Sequence, residues 1–124
     1  MDVLKGKDMI GGWFVGDFEP SAYKTKDFEV GFKHHPKGEV WDNHYHKVAT
    51  EVNYLIKGKM NLSGTYLEEG DIFVIHPGEV AIPEFLEDCE IIVIKTPSII
   101  GDKYIVWYQY LKDVLKLILK NIFL

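Results

Sequence analysis

His44 and His46 stand two positions apart, and an acid, Glu51, follows five residues later. In an extended segment, side chains two apart share a face, so His-Tyr-His presents two imidazoles side by side. Glu51 opens the next stretch after the short Lys47–Thr50 connection, and an antiparallel return across it brings the carboxylate opposite the imidazoles. Two imidazoles and a carboxylate form a facial donor set for a divalent metal, with positions left open for substrate, water or dioxygen. Iron, manganese, zinc and nickel all suit these donors, so the set does not name its metal. The competing reading is a metal-free pocket in which the same three residues act as hydrogen-bonding groups.

Such residues need strands to position them, and the chain supplies short β-rich stretches from Trp13 to about Lys95. We expect strands at Trp13–Phe18, Phe28–His35, Trp41–His46, Thr50–Lys57, Lys59–Leu62, Ile72–His76, Val80–Phe85, Ile91–Lys95 and Tyr104–Tyr108. Turn residues fall at Pro36-Lys37-Gly38, Ser63-Gly64, Glu68-Glu69-Gly70 and Pro77-Gly78. Alternation puts Asn53 and Leu55 on the face of Glu51, where Asn53 is a further pocket candidate. It also puts Phe28, Val30, Phe32 and His34 on one face, and inward phenylalanines carry His34 into the cavity as a fourth ligand candidate. His35 then faces outward. His76, beside Pro77-Gly78, is either another ligand candidate or a turn residue at the rim.

Val52, Tyr54 and Ile56 are apolar opposite an apolar Leu55, whereas a sheet with one solvated face alternates more cleanly. Either a further element or a second copy in a homodimer covers that face. After Tyr110 the period turns helical: Leu111, Val114, Leu115, Ile118 and Ile122 recur on one side, with Lys112, Lys116 and Lys120 in a stripe. Residues 1–110 read as one β-domain and 111–124 as an amphipathic helix. Its apolar face is expected to pack on the β-domain or a sister subunit rather than on an anionic membrane.

Gly38, five residues, His44-Tyr45-His46, four residues, Glu51, six residues, Gly58: at every fixed position this spacing resembles the first motif of the cupin family. The resemblance covers about 85 residues, from the strand before Gly38 through Lys95, and leaves the helix outside. It implies an all-β, double-stranded β-helix (jelly-roll) barrel with the helix appended, and His44, His46 and Glu51 as metal ligands. The second family motif is only partly kept. Gly70-Asp71, an apolar strand and Pro77-Gly78 match it, but His76 replaces its first proline and Ala81 stands where the fourth ligand, a histidine, belongs.

The chain has 124 residues, a net charge of -5, one cysteine and no arginine. Planar bidentate recognition of phosphate and base edges falls mainly to arginine, so a nucleic-acid reader is not expected. Cys89 alone can form neither an intrachain disulfide nor a cysteine-rich zinc site. No apolar run has the length of a signal sequence or a membrane span, and a cytoplasmic protein is expected. Three functions fit: a metal-dependent isomerase- or oxygenase-type enzyme on a small molecule, a metal-independent sugar-nucleotide epimerase or isomerase with histidines as acid and base, or a non-catalytic small-molecule sensor.

Overall fold

The computed structural model describes residues 1–106, 115–116 and 118–122. Ten strands follow a short 3-10 turn at Gly6–Asp8: β1 (Trp13–Val15), β2 (Glu29–His35), β3 (His44–Tyr45), β4 (Thr50–Lys57), β5 (Lys59–Leu62), β6 (Thr65–Glu68), β7 (Ile72–Ile75), β8 (Pro83–Phe85), β9 (Cys89–Thr96) and β10 (Tyr104–Ile105). They form a five-stranded sheet in the order β1-β2-β9-β4-β7, a three-stranded sheet β6-β5-β8 and a two-stranded ribbon β10-β3. Every pairing between these strands is antiparallel.

The arrangement is a jelly-roll of open sheets, which corrects the expected barrel: no sheet closes on itself. Closure needs hydrogen bonds on both sides of each strand around the ring. The expected Trp41–His46 strand pairs over only two residues, and the expected Val80–Phe85 strand over three that begin with Pro83, which has no N–H to give. Between the ribbon and the rest, the isolated bridge His44↔Ala81 stands where a full ladder would be.

The core lies between the large and small sheets. Leu55, Ile91, Val93 and Cys89 on the large sheet pack with Met60, Leu67 and Phe85 on the small one. Leu55 and Cys89 are fully buried. The strand β6 was not expected; it closes a two-residue hairpin on β5, with Ser63 and Gly64 both at positive φ, 51° and 88°. That is the turn geometry that matches strand twist in a tight hairpin.

Residues 115–116 and 118–122 are helical, as the periodicity predicts, and Leu115, Ile118, Leu119 and Ile122 are exposed. Leu111, Val114, Phe123, Leu124 and the end of the expected Tyr104–Tyr108 strand lie outside the described residues. Among the described residues, no helix is long and apolar enough to cross a membrane.

Candidate functional site

Register across the large sheet fixes which side chains share the inner face. Lys95 sits between Glu29 and Glu51, Val93 between Gly31 and Asn53, and Ile91 between Lys33 and Leu55. His35 ends this face opposite Cys89. The ribbon supplies His44 and, at its end, His46, so both imidazoles meet Glu51 and Asn53 along one cavity of about 250 Å³. Apolar side chains, among them Met60, Phe73 and Phe85, form much of its wall, together with the polar groups of His35, Glu51 and Asn53.

The two imidazole rings stand 5.5 Å apart and nearly perpendicular, and their surroundings differ. His46 is buried; its Nδ1–H donates to the Asp102 carbonyl, and its Nε2 lies 3.1 Å from Glu51 Oε2. With an acceptor at each nitrogen the ring is suited to carry both protons. The hydrogen bond to Glu51 raises the His46 pKa above the ordinary histidine value, outweighing burial, and the Asp102 carbonyl helps. Burial pushes Glu51 upward, but its hydrogen bond to His46, the charge on that ring and nearby Lys95 together hold it below the usual carboxylate range.

His44 goes the other way. Burial lowers its pKa despite a 3.0 Å hydrogen bond from Nδ1–H to the Asp42 carbonyl. A donor at Nδ1 leaves Nε2 as the unprotonated nitrogen of a neutral ring.

A third histidine, His35, belongs to the same cavity, contrary to the expectation that it faces outward. It is buried, stacks on Phe85 with centroids 4.4 Å apart, and hydrogen-bonds Glu39, which also accepts the Trp41 indole N–H at 2.9 Å. Burial lowers its pKa more than Glu39 raises it. His34 lies on the opposite face, exposed, with Nδ1 3.9 Å from Glu90 Oε1. The face of β2 that enters the fold is Glu29, Gly31, Lys33 and His35, while Phe28 and Phe32 are exposed. His76 is exposed in the turn after β7, where its carbonyl accepts the Glu79 N–H.

The expected metal centre does not fit these residues. Among the described residues no group of three or more His, Cys, Asp and Glu side chains is disposed to hold a metal ion. Locally, His46 Nε2 faces Glu51 while its Nδ1–H is held by the Asp102 carbonyl, and Ala81, paired with His44, contributes no donor. The expectation of a metal-binding protein is corrected on this ground.

The sequence matches no family model and no curated protein. Similar solved structures include an uncharacterised conserved protein with a double-stranded β-helix domain from Klebsiella pneumoniae subsp. pneumoniae, at 24% identity and a TM-score of 0.59 over 65% of this chain and 71% of that one. KdgF from Halomonas sp. is 25% identical with a TM-score of 0.55, over 60% of this chain and 74% of its own. An RmlC-like cupin family protein with a double-stranded β-helix fold from Methanocaldococcus jannaschii is 24% identical with a TM-score of 0.52, over 60% and 73%. The chain has the double-stranded β-helix fold of the cupin proteins it resembles. Cupin folds host many unrelated activities, so this likeness fixes the scaffold and leaves the chemistry to the site.

The second-motif position held by Ala81 is part of the cavity wall, 5% exposed and bridged to the His44 backbone. A loop clamp fixes the first motif from the other side. The buried Asp102 carboxylate accepts the backbone N–H groups of Lys47, Val48 and Ala49, at 3.0, 3.2 and 2.9 Å, and its carbonyl holds His46. No motif singles out Asp102; its signal in the sequence is only an acidic residue after Gly101.

Proposed function

We propose that this cupin binds a small molecule in the cavity and moves a proton on it without a metal, His44 serving as base and the His46–Glu51 pair as acid. One observation carries the reading: two imidazoles 5.5 Å apart on one cavity have their pKa values pushed in opposite directions, His44 down by burial and His46 up by its hydrogen bond to Glu51. Groups whose surroundings push their pKa values apart are suited to acid and base roles in the same reaction. His44 Nε2 takes a proton from a substrate carbon next to a carbonyl. The proton between His46 Nε2 and Glu51 Oε2 passes to the substrate oxygen or to the carbon's other side, giving an isomerase- or epimerase-type outcome. The test is deuterium uptake from D2O at such carbons in a panel of 2-hydroxy and 2-keto compounds. The wild-type protein exchanges them and His44→Gln does not; exchange by His44→Gln at the wild-type rate overturns the assignment.

The cupin also acts as a homodimer in this reading. Support comes from the outer face of the large sheet, where Phe32, Tyr54, Ile72, Val74 and Ile94 are all exposed. Cross-strand neighbours such as Val52 and Val74, or Tyr54 and Ile72, make these one surface. Monomers seldom leave a contiguous apolar area of that kind in water.

A further inference from the structure

A chain of net charge -5 gathers three of its lysines, Lys33, Lys95 and Lys103, on the wall of one cavity. Lys95 is answered by Glu29, 3.1 Å away. Lys33 and Lys103 form no ion pair among the described residues. Both are instead held over indole faces: Lys33 Nζ lies 5.4 Å from the Trp13 ring centre and 5.9 Å from that of Trp41, and Lys103 Nζ lies 4.4 Å from Trp41. Lys33 Nζ also donates to the Gly11 carbonyl. Cation–π contacts and that hydrogen bond fix the ammonium groups without neutralising them. Burial is the main reason both pKa values are lowered; Lys95 adds to it, while Glu39 and Glu51 oppose it at Lys33 and Asp42 and Glu51 oppose it at Lys103.

In the same cavity, Asn53 is 3% exposed and its Nδ2 has no hydrogen-bond partner. A buried, unpaired amide donor is costly, and a ligand oxygen would relieve it. The remaining wall is apolar, and the volume is below the roughly 300–1,000 Å³ of sites for drug-sized ligands. The chain has no arginine to clamp the diphosphate of a nucleotide sugar.

Resting on the reading of this cavity as a small-molecule site, we infer that its ligand is a small organic acid, the carboxylate held by Lys33 and Lys103 and a second oxygen accepting from Asn53. The lysines sit where they draw the acid in and turn its carbon body toward the apolar wall. An α- or β-oxygenated acid satisfies both ends at once.

Ligand-observed NMR on the full chain tests this with benzoate and 3-hydroxybutyrate, each set against its primary amide, and with inorganic phosphate as competitor. The acids bind and the amides bind more weakly; Lys33→Gln and Lys103→Gln each weaken acid binding about tenfold, the loss of one charge-assisted hydrogen bond. Asn53→Leu weakens 3-hydroxybutyrate and spares benzoate, which has no second oxygen. If amides bind as well as acids, or the lysine variants leave acid binding unchanged, the inference falls and the cavity reading survives. If phosphate displaces the acids at equal concentration, the site takes anions generally and the organic-acid assignment falls. If neither acids nor amides bind at millimolar concentration, both the inference and the cavity reading fall.

Discussion

Removing the Asp102 carboxylate should unfasten the first motif. Its oxygens accept three backbone N–H groups at 2.9–3.2 Å, and hydrogen bonds to a charged group contribute about 1.5–3 kcal/mol each. The three do not add in full. Lys47 and Val48 are exposed and their amides can turn to water, whereas Ala49 is 2% exposed and its N–H would be stranded. Asp102→Ala is therefore expected to cost about 2–4 kcal/mol, and Asp102→Asn, which keeps one acceptor oxygen, about 1–2 kcal/mol. Urea denaturation followed by far-UV circular dichroism measures both, with the slope against urea unchanged. The pH dependence is a second check. Burial pushes Asp102 upward, but the three amides outweigh it and hold its folded pKa below the ordinary value. Its contribution is then fully present above the unfolded aspartate range, near about 3.9, and is lost as pH falls through the folded value. The gap between wild type and Asp102→Asn stays constant near neutrality and closes in acid. An Asp102→Ala cost below about 0.5 kcal/mol, or a gap that widens in acid, refutes the clamp.

Glu51→Gln replaces the carboxylate acceptor whose hydrogen bond, with its charge, raises His46, so the His46 imidazole titrates at lower pH by NMR while His44, already lowered by burial, moves little; an unchanged His46 contradicts the pairing. The stability lost, about 1–3 kcal/mol, is greatest between the lowered Glu51 pKa and the raised His46 pKa. It fades in acid as Glu51 protonates and in alkali as His46 loses its proton. Gly58→Ala is expected to cost about 2–4 kcal/mol, because Gly58 has φ of 100° and an added Cβ would lie 2.4 Å from the Asp88 carbonyl oxygen. Thermal melting decides this, and a loss under half a kilocalorie speaks against the described turn. Val74→Lys, on the apolar outer face, is expected to convert the proposed dimer to monomer in sedimentation velocity without lowering the melting temperature of the monomer; a wild-type protein that is monomeric at high concentration overturns the proposed dimer.

How much was legible in the sequence depends on which face of a strand was being judged. Strands β4 and β5 match their expected bounds residue for residue, because Gly58 and the Ser63-Gly64 turn, all at positive φ, mark where each one stops. The face of Glu51 with Asn53 and Leu55 was readable for the same reason. Strand β6 was not, since Thr65–Glu68 has a single buried residue, Leu67, and so shows no alternating pattern. The two-residue turn before it was a usable signal, because a strand pairs back across such a turn. Barrel closure was out of reach, for it depends on whether ladders continue past two or three residues. Asp102 was invisible because a carboxylate that receives loop amides has no spacing rule.

The misplaced histidines share one physical cause, and it ties the site to the outer face of the large sheet. Apolar residues were expected inward on β2, but Gly31 occupies the inner face with the Trp13 ring against it; an added Cβ there would sit 2.8 Å from the indole. That close approach fixes the register, and in a strand a fixed register decides the face of every neighbour. Lys33 and His35 are carried in to line the cavity, and Phe28, Val30 and Phe32 are carried out. A slip by one residue would bury the phenylalanines, fill the cavity and send both polar groups to solvent. The polar wall that can hold a ligand and the apolar outer face that calls for a partner are thus two sides of one register. Enlarging Gly31 should disturb ligand binding and self-association together, while Val74→Lys should disturb association alone.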